Sequence, residues 1–279
     1  MSKSIIPNDA YIMIIGAMKS GTTTLYWHLT QHPKICSCVH KEPEYFSENQ
    51  GHGVSVPHYS DLWDYDPNQH RYVLEASTGY TKYPCEPNVA DKIKAYGITP
   101  TFLYVVRDPF MRIESDYNFS LDKEWFDPKL PITDDRYVSI SNYFMQLEPY
   151  RKQFGVTNIL VLDFDELVSN PAQLLTSVFD RLQLSSTDIE IVDEVKHKTR
   201  ELSKAEVFLT MHPGIKSVTS LLPHSVKQFM KGLYEPVSQI SQKKQLTTEE
   251  RAIIHTKLQN HMSLFQKHYG FHVEKWGFS

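Results

Sequence analysis

The chain is short of several things that would each announce a protein class. Cysteine is scarce: Cys36, Cys38 and Cys85 are the three in 279 residues, too few for a disulfide framework and most simply read as reduced thiols. Long hydrophobic runs are missing too, since "YIMII" and "TFLYVV" fall far short of the roughly 20 residues a bilayer requires. Charge of one sign is not in excess, and a net charge of -4 gives no reason to expect a nucleic-acid partner, while leaving room for a local basic site. The opening "MSKSIIPNDA" lacks the apolar stretch of a signal peptide, so the expectation is a cytoplasmic protein with no membrane partner. The 13 histidines show no H-E-x-x-H or similar ligand spacing, and no metal is expected. Repeats and low-complexity linkers are also missing. With 41% hydrophobic and 22% charged residues, the expectation is one globular domain over residues 1–279, its core at about 9–276.

What is present alternates. "YIMII" (11–15) is a short continuous apolar run of the kind buried on both faces of a sheet, and "YVLEAS" (72–77), "TFLYVV" (101–106) and "NILVL" (158–162) are the other core strands. Helical patterns lie between them, near 22–32, 86–96, 109–121 and 139–154. Asn170–Pro171 is a cap followed by proline, opening a helix whose apolar stripe is Leu174, Leu175, Val178, Phe179 and Leu182. Thr247 and Glu250 stand in capping-box spacing before a last helix that buries Ile254, Leu258, Met262 and Phe265 and stops at Gly270. The fold class is therefore α/β, a three-layer P-loop-like arrangement with a central parallel sheet flanked by helices. Segments 47–70 and 122–138 read as long loops, and His52, His58, Trp63, Tyr65, Trp125 and Phe126 in them suit a pocket with aromatic walls.

Chemistry concentrates where the first strand ends. In "GAMKSGTTT", Gly16 and Gly21 keep the spacing of a nucleotide P-loop, but Lys19 precedes the second glycine and Thr22, Thr23 and Thr24 follow it. A strand, a glycine-bounded turn and a helix starting with hydroxyl residues make an anion site, because loop N–H groups and the helix N-terminus converge there. A second basic element, "VVRDPFMRIES", sets Arg107 directly after another buried strand, with Ser115 two helical turns farther on. Arginine suits phosphate through paired, charge-assisted hydrogen bonds. The residues alone leave open a nucleotide kinase or NTPase, a non-catalytic nucleotide-binding module, or a transferase of another kind.

The same stretches resemble the sulfotransferases that use 3'-phosphoadenosine 5'-phosphosulfate (PAPS). "GAMKSGTTTLYWHLTQHP" is similar to their 5'-phosphosulfate loop, "RDPFMRIES" to their 3'-phosphate motif, and "KEPEYFSE" (41–48) to the K-E-x-x-[FY]-F segment of the heparan-sulfate-type branch and its bacterial relatives. "EASTGYTKYP" and "HYGFHVEKWGF" resemble the strand-turn and the C-terminal ending of that family. The resemblance implies PAPS as co-substrate, PAP as product, and transfer of a sulfonate to a hydroxyl or amine of a small-molecule or carbohydrate acceptor. It implies Lys19, Ser20, Gly21, Thr22, Thr23 and Thr24 for the 5'-phosphate and sulfonate, with Lys19 also stabilising the leaving group. It implies Arg107 and Ser115 for the 3'-phosphate, with Lys198 and Arg200 closing over the nucleotide. Glu42 aligns with the general base, with His40, Glu44 and His58 as fallbacks. Lys41, His58 and Tyr80 are the expected acceptor contacts. The sequence departs from the heparan-sulfate pattern at Ala76, where that branch often carries a lysine, so that cationic contact is either absent or supplied from elsewhere, with Lys41 and Lys82 as candidates.

Overall fold

The computed structural model describes residues 5–49, 53–122, 130–186 and 243–279. Five strands form one sheet, all parallel: β1 (Tyr11–Gly16), β2 (Ile35–Ser37), β3 (Tyr72–Ala76), β4 (Thr101–Val106) and β5 (Ile159–Asp163), in the spatial order β2-β3-β1-β4-β5. Side chains alternate along each strand and both faces are buried, as the continuous apolar runs predict. Tyr11, Met13, Ile15, Val73, Phe102, Tyr104 and Val106 point into one core, and Ile12, Ile14, Leu74, Ala76, Leu103 and Val105 into the other.

Helices supply the two outer layers. The second core is closed by α1 (Thr22–Leu29), α6 (Phe164–Ser169) and α7 (Pro171–Arg181), whose Leu174, Leu175, Val178 and Phe179 are the stripe expected from sequence. The first core is closed by α2 (Val89–Tyr96), α5 (Tyr143–Phe154) and α8 (Thr248–Tyr269), together with α3 (Pro109–Asp122) and the short α4 (Asp135–Val138). Helix α8 starts as its sequence predicts: Thr247 Oγ1 accepts from the Glu250 N–H at 3.2 Å and the Thr247 N–H donates to Glu250 Oε2 at 2.8 Å. Ile254, Leu258, Met262 and Phe265 are buried, and Gly270 ends the helix. None of the described helices is long and apolar enough to cross a membrane.

Two readings change. Strand β2 has three residues at the sheet edge, too few to show a period, and only its pairing with β3 reveals it. Segment 47–70 is not a solvated loop throughout: Tyr59–Leu62 makes a 3₁₀ turn that drives Tyr59, Leu62 and Trp63 into the core. Trp63 packs edge-on against Tyr11 and Tyr59 and its indole N–H donates to Leu74 O at 3.1 Å, so it is a core residue, not a pocket wall. His52, Trp125 and Phe126 lie outside the described residues.

The sheet order fixes where a ligand belongs. From β1 the chain moves outward to β2, returns to β3 and then crosses to β4, so β1 and β4 are neighbours at the switch in direction. Open α/β sheets bind ligands at the carboxyl ends of such a strand pair. The residues that follow β1 and β4 are the two basic elements singled out above.

Candidate functional site

The loop after β1 is held by close packing. A Cβ on Gly16 would stand 2.2 Å from Thr81 Oγ1 and 2.8 Å from the Tyr104 ring, so the strand can leave the sheet here only as glycine. Gly21 has φ of 81°, left-handed, and its Cα faces the Phe164 ring. Lys19 is also left-handed, at φ 68°, a conformation that costs a non-glycine residue about 1–2 kcal/mol. Helix α1 then begins at Thr22, and the N–H groups of its first turn have no helical carbonyl to meet. That turn holds no acidic side chain, so its positive dipole end is left for an anion. Ser20 is fully buried in the loop and its Oγ has no hydrogen-bond partner among the described residues, a deficit of about 1–3 kcal/mol that a ligand oxygen would relieve. Thr22 is buried, Thr24 half-buried and Thr23 exposed. The Lys19 ammonium sits 3.9 Å from the centre of the Phe119 ring on α3.

Arg107 follows β4 and reaches across to this loop. Its Nη1 donates to Lys19 O at 3.2 Å, and its guanidinium lies 4.7 Å from the Phe164 ring centre. The Tyr143 hydroxyl grips its backbone, donating to Arg107 O at 2.5 Å and accepting from the Arg107 N–H at 3.3 Å. Burial holds the Arg107 pKa below its usual value.

Ser115 lies farther along α3, half-buried. That helix is firmly anchored. Arg112, fully buried, pairs with Asp116 at 3.0 Å, donates to Tyr137 O at 2.6 Å and reaches Met18 O at 3.4 Å. Glu114 accepts from the Leu246 N–H at 2.9 Å, and Asn118 exchanges two hydrogen bonds with the Lys244 backbone. Arg112 is the second arginine of "RDPFMR"; the spacing showed it but not its task, which is to tie the β1 loop to α3.

The third element is the turn that carries Glu42. Glu42 and Glu44 both have left-handed φ, 55° and 51°, on either side of Pro43. Strain of this kind persists only where the surroundings impose it, and it clusters at functional sites. Here the Glu42 N–H donates to Ala76 O at 3.0 Å, the Glu44 N–H to Ser77 Oγ at 3.1 Å, and the Val54 N–H to Pro43 O at 3.0 Å. The Glu44 carboxylate, expected as a fallback base, is buried, accepting from Ser47 Oγ at 2.6 Å and the Gly79 N–H at 2.9 Å. Burial raises its pKa. Glu42 remains half-exposed, with Lys41 Nζ 3.0 Å from its Oε1.

Beneath that turn lies a carboxyl that sequence reading passed over. Glu75 sits in the apolar run of β3 and is fully buried, accepting from Ser77 Oγ at 3.0 Å, from the Tyr80 hydroxyl at 3.2 Å and from the Tyr59 hydroxyl. Desolvation outweighs these donors and pushes its pKa from 4.5 to about 7. The folded chain therefore binds this proton more tightly than the unfolded chain, and between pH 4.5 and 7 stability falls as pH rises. Glu75→Gln is expected to remove that slope, gaining up to about 3 kcal/mol on the wild type between pH 5 and 7.5. Urea denaturation across that range measures it, and parallel profiles for the two proteins would refute it.

Tyr80, expected among the acceptor contacts, belongs to this network: it is 2% exposed and its hydroxyl is held by Glu75 and the Phe46 N–H. His58 is exposed at the start of the 3₁₀ turn, its N–H donating to Asp61 Oδ2 at 3.2 Å. His40 is exposed as well. Ala76 packs in the second core, and its carbonyl accepts from the Glu42 N–H. Lys198 and Arg200 lie outside the described residues. Cys36 and Cys38 are buried free thiols that burial raises to about 11 and about 12.

Comparison with known proteins bears on the family and the fold. A family model described as "Sulfotransferase domain" matches residues 9–266. Mouse (Mus musculus) heparan sulfate glucosamine 3-O-sulfotransferase 3A1 is 29% identical over 190 residues, covering 62% of this chain and 45% of the relative. Human (Homo sapiens) heparan sulfate glucosamine 3-O-sulfotransferase 5 is 25% identical over 187 residues, covering 62% and 53%. The chain thus spans about half the length of these curated relatives. Among solved structures, a sulfotransferase from Alicyclobacillus acidocaldarius superposes with a TM-score of 0.56 at 22% identity, covering 76% of this chain and 95% of the other, which shows a shared fold.

Proposed function

This chain belongs to the sulfotransferase domain family, and from that premise we propose that it transfers the sulfonate of PAPS to a hydroxyl or amine of a small-molecule or carbohydrate acceptor. The observation that carries the reading is the convergence of the Lys19 loop, the N-terminus of α1 and Arg107 at the β1–β4 switch. The 5'-phosphosulfate is assigned to the loop, where the α1 N–H groups, Ser20 and Thr22–Thr24 can donate to it, and the 3'-phosphate to Arg107 and Ser115. Arg107 uses one guanidinium N–H on Lys19 O and keeps others for a ligand.

In the reaction, Glu42 takes the acceptor proton as the acceptor oxygen or nitrogen bonds to sulfur. The bond from sulfur to the bridging phosphate oxygen breaks on the opposite side, and the electron pair leaves with PAP. Lys19 stabilises the charge that builds on that oxygen. Lys41, 3.0 Å from Glu42, helps to orient the base.

Calorimetry tests the nucleotide half. PAP in EDTA is expected to bind at least tenfold more tightly than AMP, its analogue without the 3'-phosphate, and more tightly than ATP with Mg²⁺. Preference for Mg-ATP would replace this reading with the kinase one.

A further inference from the structure

The ring of Phe164 occupies a position that no motif accounts for. It is the first residue of α6, immediately after β5, and it touches both halves of the anion site. Its edge stands 3.0 Å from where a Cβ on Gly21 would be, and the Arg107 guanidinium lies over it at 4.7 Å. Arg107 also donates to Lys19 O, so loop, arginine and ring form a closed set. The ring's own placement is fixed from outside that set. Asp163 caps α6 by accepting from the Asp165 N–H at 3.0 Å, and Lys275, near the end of the chain, pairs with Asp163 and, at 3.1 Å, with Asp165. Asp165 is among the charges that Arg107 feels, and Lys275 pairs with it.

We infer that Phe164 is a positioning residue that holds Arg107 ready for the 3'-phosphate, and so helps set the preference for 3'-phosphorylated nucleotide; this rests on the nucleotide reading above. The physics is preorganisation. An arginine side chain free to sample its rotamers must be ordered when phosphate arrives, and binding is weakened by that cost. Here the backbone is gripped by Tyr143, one Nη by Lys19 O, and the face of the guanidinium by an aromatic ring whose quadrupole attracts the cation. Little is left to order. The ring also sits against Gly21, so the 3'-phosphate arginine and the 5'-phosphate loop are held in register by one side chain.

The test uses PAP and AMP, which differ only in the 3'-phosphate, titrated into wild type, Phe164→Leu and Phe164→Tyr. Leucine keeps apolar bulk against Gly21 but removes the ring face, while tyrosine keeps the face. Phe164→Leu is expected to weaken PAP about 3- to 10-fold and AMP less than 2-fold, and Phe164→Tyr to retain the wild-type preference. In an Arg107→Met background, Phe164→Leu should have no further effect on PAP. If Phe164→Leu keeps the full preference, or loses PAP and AMP affinity in parallel, the positioning role is overturned. A wild type that does not distinguish PAP from AMP would instead refute the 3'-phosphate site itself. Thermal midpoints of each variant separate a folding defect from either result.

Discussion

Glu42→Gln is expected to lower kcat for sulfonate transfer by about 10²–10⁴-fold while PAP affinity stays within twofold of wild type. The expectation follows from where the side chain stands. An alcohol at neutral pH is a poor nucleophile, and a carboxylate that takes its proton in the transition state is worth that factor when it is held in place. Glu42 is held by a backbone that its own turn finds costly: two left-handed glutamates around a proline, fastened to Ala76 O, Ser77 Oγ and the Gly79 N–H. Its neighbour Glu44 supplies that fastening from the buried side, which leaves Glu42 the half-exposed carboxylate of the pair. Glutamine matches the size of the side chain and keeps an oxygen for Lys41, so the turn survives and only proton acceptance is lost. Transfer of labelled sulfonate from PAPS to any acceptor the wild type modifies is the measurement. A kcat within threefold of wild type would remove Glu42 as the base.

How much of this was legible beforehand depends on whether a residue's task is local. Strands β1, β3, β4 and β5 are visible because burial on both faces demands an unbroken apolar run, and α7 and α8 because caps and stripes are written within one element. Lys19 and Arg107 are visible because each follows a buried strand, and chain order places them at the same sheet edge. Glu75 and Phe164 are not. A glutamate inside "YVLEA" and a phenylalanine opening "FDELVS" carry no sign of their partners, which arrive from positions 59, 77 and 80 in one case and from 21 and 107 in the other. Trp63 misled for the same reason: an aromatic in an aperiodic segment looks available until the 3₁₀ turn at Tyr59–Leu62 buries it. Arg112 shows both sides, its place fixed by the R-D-P-x-x-R spacing and its work, bracing Met18 O, Asp116 and Tyr137 O, visible only in three dimensions.

Lys19→Met should lower kcat and kcat/KM together by about 10²–10³-fold, because the charge it removes is needed most as the bridging oxygen departs. Methionine is chosen over alanine for a structural reason. Lys19 sits at φ 68° with its carbonyl accepting from Arg107 and its side chain over Phe119. A flexible apolar stem keeps the bulk beside Phe119 while deleting the ammonium, and the backbone carbonyl is untouched, so Arg107 keeps its partner. Ground-state binding of PAP should then weaken by no more than about 10-fold, since one of several donors to the anion is lost and the helix N-terminus and Arg107 remain. The split between the two losses is the informative quantity. If KM for PAPS rises while kcat is unchanged, Lys19 is a binding residue alone and leaving-group stabilisation must come from elsewhere in the site. If both kcat and PAP affinity match wild type, the loop's lysine has no part in the reaction, and the mechanism proposed for this site is wrong at its first step.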